Sequence, residues 1–294
     1  KQPIKLVVVF PAGGSVDQVA RILQVPLQQA LGQTIIVDNK GGASGAIGTG
    51  MVAQSPADGY TFGVVFDTHA VNPSLIPNMS FDTRKDLADI IIVGKSGMVL
   101  ATHVGSDYKT FADVVAAAKA KKNVSYGSIG SGSLGHLAMT LLGKSGGFDW
   151  QHIPYKGGGP LMNDAIAGHV PLSIGTVFLT KPHVDSKRMR PLAVTSSKRS
   201  PDLPNVPTVV ELGYAGFEAQ AWWGVIAPVK TPPEIIKQMN EALNKVLKDP
   251  AIAKKLDEQG IDIMGGTPAQ AKSFIESQMV IWDKVVKDNN IKAD

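Results

Sequence analysis

The 294-residue chain is 44% hydrophobic and 18% charged, with a formal net charge of +4. That is enough chain for about two domains and enough apolar surface for a large core, which argues against intrinsic disorder. Cys is absent, which excludes thiol nucleophiles, disulfides and thiolate metal sites. The apolar run at 90–93 is far too short to cross a bilayer as a helix, and no Lys/Arg stripe offers a nucleic-acid footprint.

Residues 4–10 are rich in β-branched side chains and predict a first strand, followed by Pro11-Ala12-Gly13-Gly14-Ser15. Val19, Ala20, Leu23, Leu27 and Leu31 then recur at helical spacing, so a helix is predicted over 16–31, with Gly32 ending it. A second strand is expected at 34–37, followed by Gly41-Gly42-Ala43-Ser44-Gly45 and a short helix toward Ala53. A third covers 60–66, with a loop at 67–73 after it. The same grammar restarts after a helix at 111–120. Strands are predicted at 124–126, 151–155, 171–174 and 191–195, and helices at 134–142 and from Gly157-Gly158-Gly159-Pro160 to Ala167. A Pro-rich connection occupies 201–207, and the tail reads as helices at 233–247, 250–259 and 268–287, each with Thr, Asp or Pro near its start. Strands alternating with helices imply an α/β architecture of parallel βαβ units, with ligands beyond the carboxyl ends of the strands. Two such sets imply two lobes, expected at 1–103 with 222–294 and at 104–221, with Trp222 and Trp223 packing where the chain recrosses.

The first loop, Phe10-Pro11-Ala12-Gly13-Gly14-Ser15-Val16-Asp17, places small residues where a strand passes into a helix. Exposed N–H groups and the helix dipole suit an anion there; a tight turn, with Asp17 complementing the dipole, is the plainer alternative. Gly-Lys-Ser/Thr is missing, so a triphosphate is not expected. A second loop carries G-x-G-x-x-G at Gly130, Gly132 and Gly135, yet Lys156-Gly157-Gly158-Gly159 stands where a dinucleotide site needs an acid for the ribose. Ser128, Ser131 and Ser133 would serve a carboxylate equally well, or simply cap the helix. Gly143-Lys144-Ser145-Gly146-Gly147 mimics a nucleophile elbow but falls at a helix end, as a C-cap does. Asp67, beside Thr68 and His69, could accept a hydrogen bond from a ligand amine or hydroxyl, or close an Asx turn. His69 and His136 read as structural donors.

Taken together, these loops resemble the periplasmic solute-binding proteins of tripartite tricarboxylate transporters, the Bug family. The resemblance rests on the first loop, Asp38-Asn39-Lys40-Gly41-Gly42-Ala43-Ser44-Gly45, Ala57-Asp58-Gly59-Tyr60-Thr61 and Thr68-His69-Ala70-Val71-Asn72-Pro73. It rests further on Gly130-Ser131-Gly132-Ser133-Leu134-Gly135-His136, Pro154-Tyr155-Lys156-Gly157-Gly158-Gly159-Pro160 and Asn205-Val206-Pro207-Thr208, in order over nearly the whole chain. It implies a two-lobed periplasmic-binding-protein fold (type II, Venus flytrap) with no catalysis and no cofactor. The expected ligand is a small carboxylate (a dicarboxylate, amino acid or aromatic acid), delivered to membrane permease subunits. The expected setting is the periplasm, as a monomeric mature form whose signal peptide has been removed. Carried over residue by residue, Ala12, Gly13, Ser15, Ser128, Ser131, Gly132 and Ser133 would pinch a ligand carboxylate, and Asp17 would hold the first loop in shape. Asp67, Thr68, Gly158 and Thr176 would read the distal part of the ligand, with Phe10, His136 and Phe178 beside it.

The chain has Ala12 where Pro is common in the family, Lys40-Gly41 where Arg-Pro is frequent, and Asp67 where the residue is often uncharged. A carboxylate at Asp67 would repel a second ligand carboxylate and favour a ligand with an amine or hydroxyl, while Phe10, Phe66 and Phe178 leave room for a flat ring. Rival readings are a nicotinamide-dependent oxidoreductase using the 130–135 loop, a small hydrolase, and a binding module that signals to a sensor.

Overall fold

In the computed structural model, which describes residues 2–292, β1 (Ile4–Val8), β2 (Ile35–Asn39) and β3 (Thr61–Phe66) pair in parallel with β1 central. α1 (Ser15–Leu31) and α2 (Ala46–Ala53) connect them. Val19, Ala20, Leu23 and Leu27 form the buried stripe of α1. Gly32 ends it at φ 62, a left-handed position that costs glycine little. Where a loop was expected after β3, the chain forms α3 (Thr68–Leu75). Pro73 has no N–H to offer the His69 carbonyl, and the helix ends two residues later at Leu75.

β4 (Leu87–His103) is 17 residues long and joins the two halves of the molecule. Beyond it lie α4 (Phe111–Lys119), β5 (Ser125–Ser128), α5 (Leu134–Gly146), β6 (Gln151–Pro154), α6 (Gly158–Ala167), β7 (Leu172–Thr176), α7 (Val177–Asp185) and β8 (Met189–Val194). β5 pairs in parallel with β6 and β7, repeating the first half's pattern. As expected, 143–147 forms a helix end, with Gly147 as the left-handed cap of α5.

β9 (Gln220–Pro228) then returns and lies between β3 and β4, antiparallel to both. The sheet runs β2-β1-β3-β9-β4-β7-β5-β6, with β8 and β10 (Asp262–Gly265) also on β4. The expectation of a parallel sheet built from βαβ units therefore fails at its centre, where β4, β9 and β10, for which the sequence reading gives no strand bounds, pair antiparallel. β4 carries Asp89, Gly94, Lys95, Ser96 and Gly97 along its length, so it shows neither strict alternation nor a continuous apolar run. The tail helices α8 (Pro233–Leu247), α9 (Pro250–Asp257) and α10 (Pro268–Asp288) return to the first half, packing on α1, α3 and β4.

β4 pairs with β9 as far as Gly97 and with β7 and β8 from Met98 onward. The chain thus crosses between Gly97 and Met98 and again just before Gln220. Thr195 ties the two crossings together: its buried hydroxyl donates to the Ala219 carbonyl (2.6 Å) and accepts from the Met98 N–H (2.9 Å). Trp222 and Trp223 are fully buried in β9, Trp222 edge-on to Phe274 and Trp223 tilted against Phe66.

Candidate functional site

The loops at the ends of β1, β3, β5, β6 and β7 face one another between the lobes and enclose a cavity of about 30 Å³, room for about two water molecules. Three helices begin at its wall. Gly14 and Ser15 open α1, Gly158 and Gly159 open α6, and Thr176 is the N-cap of α7. First-turn N–H groups have no intrahelical acceptor, and each helix start carries partial positive charge. Phe10, Phe66, Met98, Ile129 and Leu179 supply an apolar remainder, which lowers the local dielectric and strengthens bonds from those N–H groups to an anion.

The first loop owes its shape to Asp17, whose side chain is buried in the first turn of α1. One carboxylate oxygen accepts the Gly13 N–H at 2.9 Å; the other accepts Asn39 Nδ2 at 3.0 Å, and Arg21 Nε reaches both at 3.0 Å. Burial alone would raise this carboxyl, but the bonds from Arg21, Gly13 and Asn39 outweigh it and hold the group below its ordinary range. Asp17→Ala should lower unfolding free energy by about 1–3 kcal/mol, because part-buried donors lose their acceptor. Equal denaturant midpoints for variant and parent would contradict that account.

The second loop is braced from behind. Ser128 Oγ lies 2.7 Å from His152 Nε2 and accepts the Gly130 N–H and the Ser133 hydroxyl, both at 3.2 Å. Ser133 also caps α5, and His136 Nδ1 accepts the Gly132 N–H at 3.1 Å. The rings of His136 and His152 stack with centroids 3.9 Å apart. The Ser128–His152 pair has the geometry of a nucleophile and base, but Ser128 is fully buried and its hydroxyl is engaged within the loop. The glycine fingerprint serves packing instead: a side chain at Gly135 would strike Ile174, and one at Gly132 would strike Leu75. That leaves no room against the backbone there for a pyrophosphate. The lobes also touch where Ser44 Oγ donates to the Ser131 carbonyl at 2.9 Å, and both Ala43 and Ser44 hold left-handed φ angles to make that turn.

Of the residues expected at the site, Phe10, Ala12, Ser15, Gly158 and Thr176 line the inner cavity. Ser131 instead faces a wider outer cavity of about 1500 Å³. Ser128, Ser133 and His136 brace the second loop, Gly13 is tied to Asp17, and Gly132 touches the opposite lobe. Phe178 is buried in the core. Asp67 and Thr68 are buried at the start of α3 and line neither cavity. Burial pushes the Asp67 carboxyl well above its usual range; the N–H groups of Leu134, across the cleft, and Thr68 offset only part of that. His69, also buried, is lowered by burial to about 4. Lys156, Met98, Ile129 and Leu179 line the cavity without having been singled out. Lys156 stood inside a motif that had been noticed; nothing local marks Met98 or Leu179, which only the topology of β4 and α7 brings to the site.

A two-lobed α/β fold with a small, largely apolar cavity, flanked by three helix starts where the lobes meet, is the architecture of a solute-binding protein. The chain belongs to the family described as the tripartite tricarboxylate transporter family receptor, whose model matches residues 19–291. It is 36% identical to Protein BugT of Bordetella pertussis over 294 residues, covering 99% of this chain and 90% of that one. Among solved structures it is similar to R. palustris Rpa4515 with adipate, at 33% identity and a TM-score of 0.95, covering 99% and 98% of the two chains. The periplasmic binding protein BugD matches at 31% identity and a TM-score of 0.94, covering 99% of each.

Proposed function

We propose that this chain is a periplasmic receptor that captures a small organic carboxylate and, as a monomer, hands it to the membrane components of its transporter without chemical change. The observation that carries this reading is the convergence of three helix N-termini on a cavity the size of a carboxylate group. An anion held there replaces its water shell with fixed N–H donors in surroundings of low dielectric. The adipate in the R. palustris relative supports the ligand class. The hinge would lie at the Thr195-tied crossings, so that residues before Met98 and after Ala219 move together against the rest. Ala12, Ser15, Gly158 and Thr176 would contact the ligand, with the loop around Ser131 and Gly132 closing over it.

A thermal-shift screen of refolded protein against mono-, di- and tricarboxylates, amino acids and nicotinamide nucleotides tests the reading. A true ligand at about 100 times its Kd should add about 2.7 kcal/mol of stability, a rise of several degrees at this chain length. A shift confined to carboxylates is expected. Shifts with nicotinamide nucleotides alone would reject the receptor reading.

A further inference from the structure

The outer cavity shares Phe10, Ala12 and Ile129 with the wall of the inner one, so it is the way out for anything held there. Two loops meet along it, one from each lobe, and in both a serine stands close between glycines: Gly42-Ala43-Ser44-Gly45 and Gly130-Ser131-Gly132. Gly42, Ala43, Ser44 and Gly45 all hold positive φ, at 126, 46, 51 and 89. Glycine adopts such angles at little cost, but Ala and Ser do not. Among the described residues no other two non-glycine neighbours hold positive φ side by side, and strain of this kind persists only where the surroundings hold it. Two hydrogen bonds hold Ser44. Buried Asn72, on α3 of the same lobe, donates Nδ2 to the Ser44 carbonyl at 3.0 Å, and the Ser44 hydroxyl donates to the Ser131 carbonyl at 2.9 Å. The first bond lies within one lobe, whereas the second exists only while the lobes are together. Its acceptor is firmly presented, because Gly130 and Gly132, at φ 146 and 73, turn the chain on both sides of Ser131. Ser128 Oγ also bonds both the carbonyl and the N–H of Gly130. Ser44 and Ser131 line the outer cavity and neither lines the inner one.

We infer that Ser44 is a latch: its bond to Ser131 holds the lobes shut, and breaking that bond sets the rate at which ligand leaves. The inference rests on the reading that the inner cavity holds a ligand carboxylate between lobes that open and close. A bond made only in the closed state slows opening and leaves the encounter with the open state untouched. Its loss therefore appears in dissociation and not in association.

Stopped-flow tryptophan fluorescence measures both rates, with Trp223, packed on Phe66 of the inner cavity wall, as the natural reporter. The probes are adipate and hexanoate, which share one carboxylate and differ in the second. Ser44→Ala should speed the release of both by the same factor, about three- to tenfold, with association unchanged. Ser44→Gly suits the left-handed angle and also lacks the hydroxyl, so it repeats the test without strain at that position and should release both probes faster than the parent. Unchanged melting of the ligand-free variants would show that the fold is intact. Release as slow as the parent's, or a change confined to association, would overturn the latch. Faster release of adipate with hexanoate unaltered would overturn it too, because Ser44 would then be touching the second carboxylate. Failure of both probes to bind the parent would instead overturn the carboxylate reading beneath it.

Discussion

Gly132→Ala should weaken ligand binding by about 10- to 100-fold while leaving the protein folded. Gly132 sits at φ 73, where any side chain carries some strain, and a Cβ built there would lie 2.3 Å from Leu75 Cδ1. The strain, about 1–2 kcal/mol, is present whether the lobes are open or closed. The collision is not, because Gly132 belongs to the loop before α5 and Leu75 to α3 of the opposite lobe. Its penalty falls on the closed state alone, and a ligand held between the lobes must then spend binding energy on closure. Leu75→Ala removes the colliding atom, so the double variant should regain most of the lost affinity. Titration calorimetry on the single and double variants is the measurement. Full affinity in Gly132→Ala, or no recovery in the double variant, would show that this contact does not control closure.

How much of this site could be read in advance depended on whether its physics was local. The brace of the first loop was legible because an acid in the first turn of a helix that follows a small-residue loop is placed to accept the loop's N–H groups, as Asp17 does from Gly13. Gly32 and Gly147 were legible as helix ends for the same reason: the conformation each adopts is a one-residue property. Thr68 to Leu75 was expected as a loop, and the eight-residue helix it forms contains Pro73, which has no N–H for the His69 carbonyl. β4 and β9 were not given as strands: β4 is broken by Gly94, Lys95, Ser96 and Gly97, and its long antiparallel pairing with β9 is a long-range property no local pattern states. Met98 and Leu179 reach the cavity only through that topology. Asp67 shows the reverse failure: its position after a strand pointed to the cleft edge, and its burial at the start of α3 depends on α5 from the other lobe.

Acid should destabilise the protein through His69, and Asp67 should act in the opposite sense two residues away. His69 is buried with no hydrogen-bond partner for Nε2, and burial lowers its folded value from 6.5 to about 4. Between those values the unfolded chain carries a proton that the folded chain refuses. The His69 contribution is therefore flat above pH 6.5 and falls as pH drops toward 4, by about 3 kcal/mol in all. Typical domains have only about 5–15 kcal/mol to lose. Asp67 has its folded value raised well above 3.8, so on acidification the folded state takes up its proton before the unfolded chain does, and its contribution becomes more favourable as pH falls toward 3.8. Denaturant unfolding from pH 8 to pH 4 on three proteins separates the two. His69→Gln should lose less stability than the parent across the acid range; an identical loss would remove His69 from the explanation. Both Asp67 carboxylate oxygens are buried without a hydrogen-bond partner, and Asp67→Asn keeps the size of the side chain but abolishes the charge. It should be more stable than the parent at pH 8 and lose that advantage toward pH 4. A variant less stable at both ends would mean that the buried carboxylate is not destabilising in its charged form, and would remove Asp67 from the explanation.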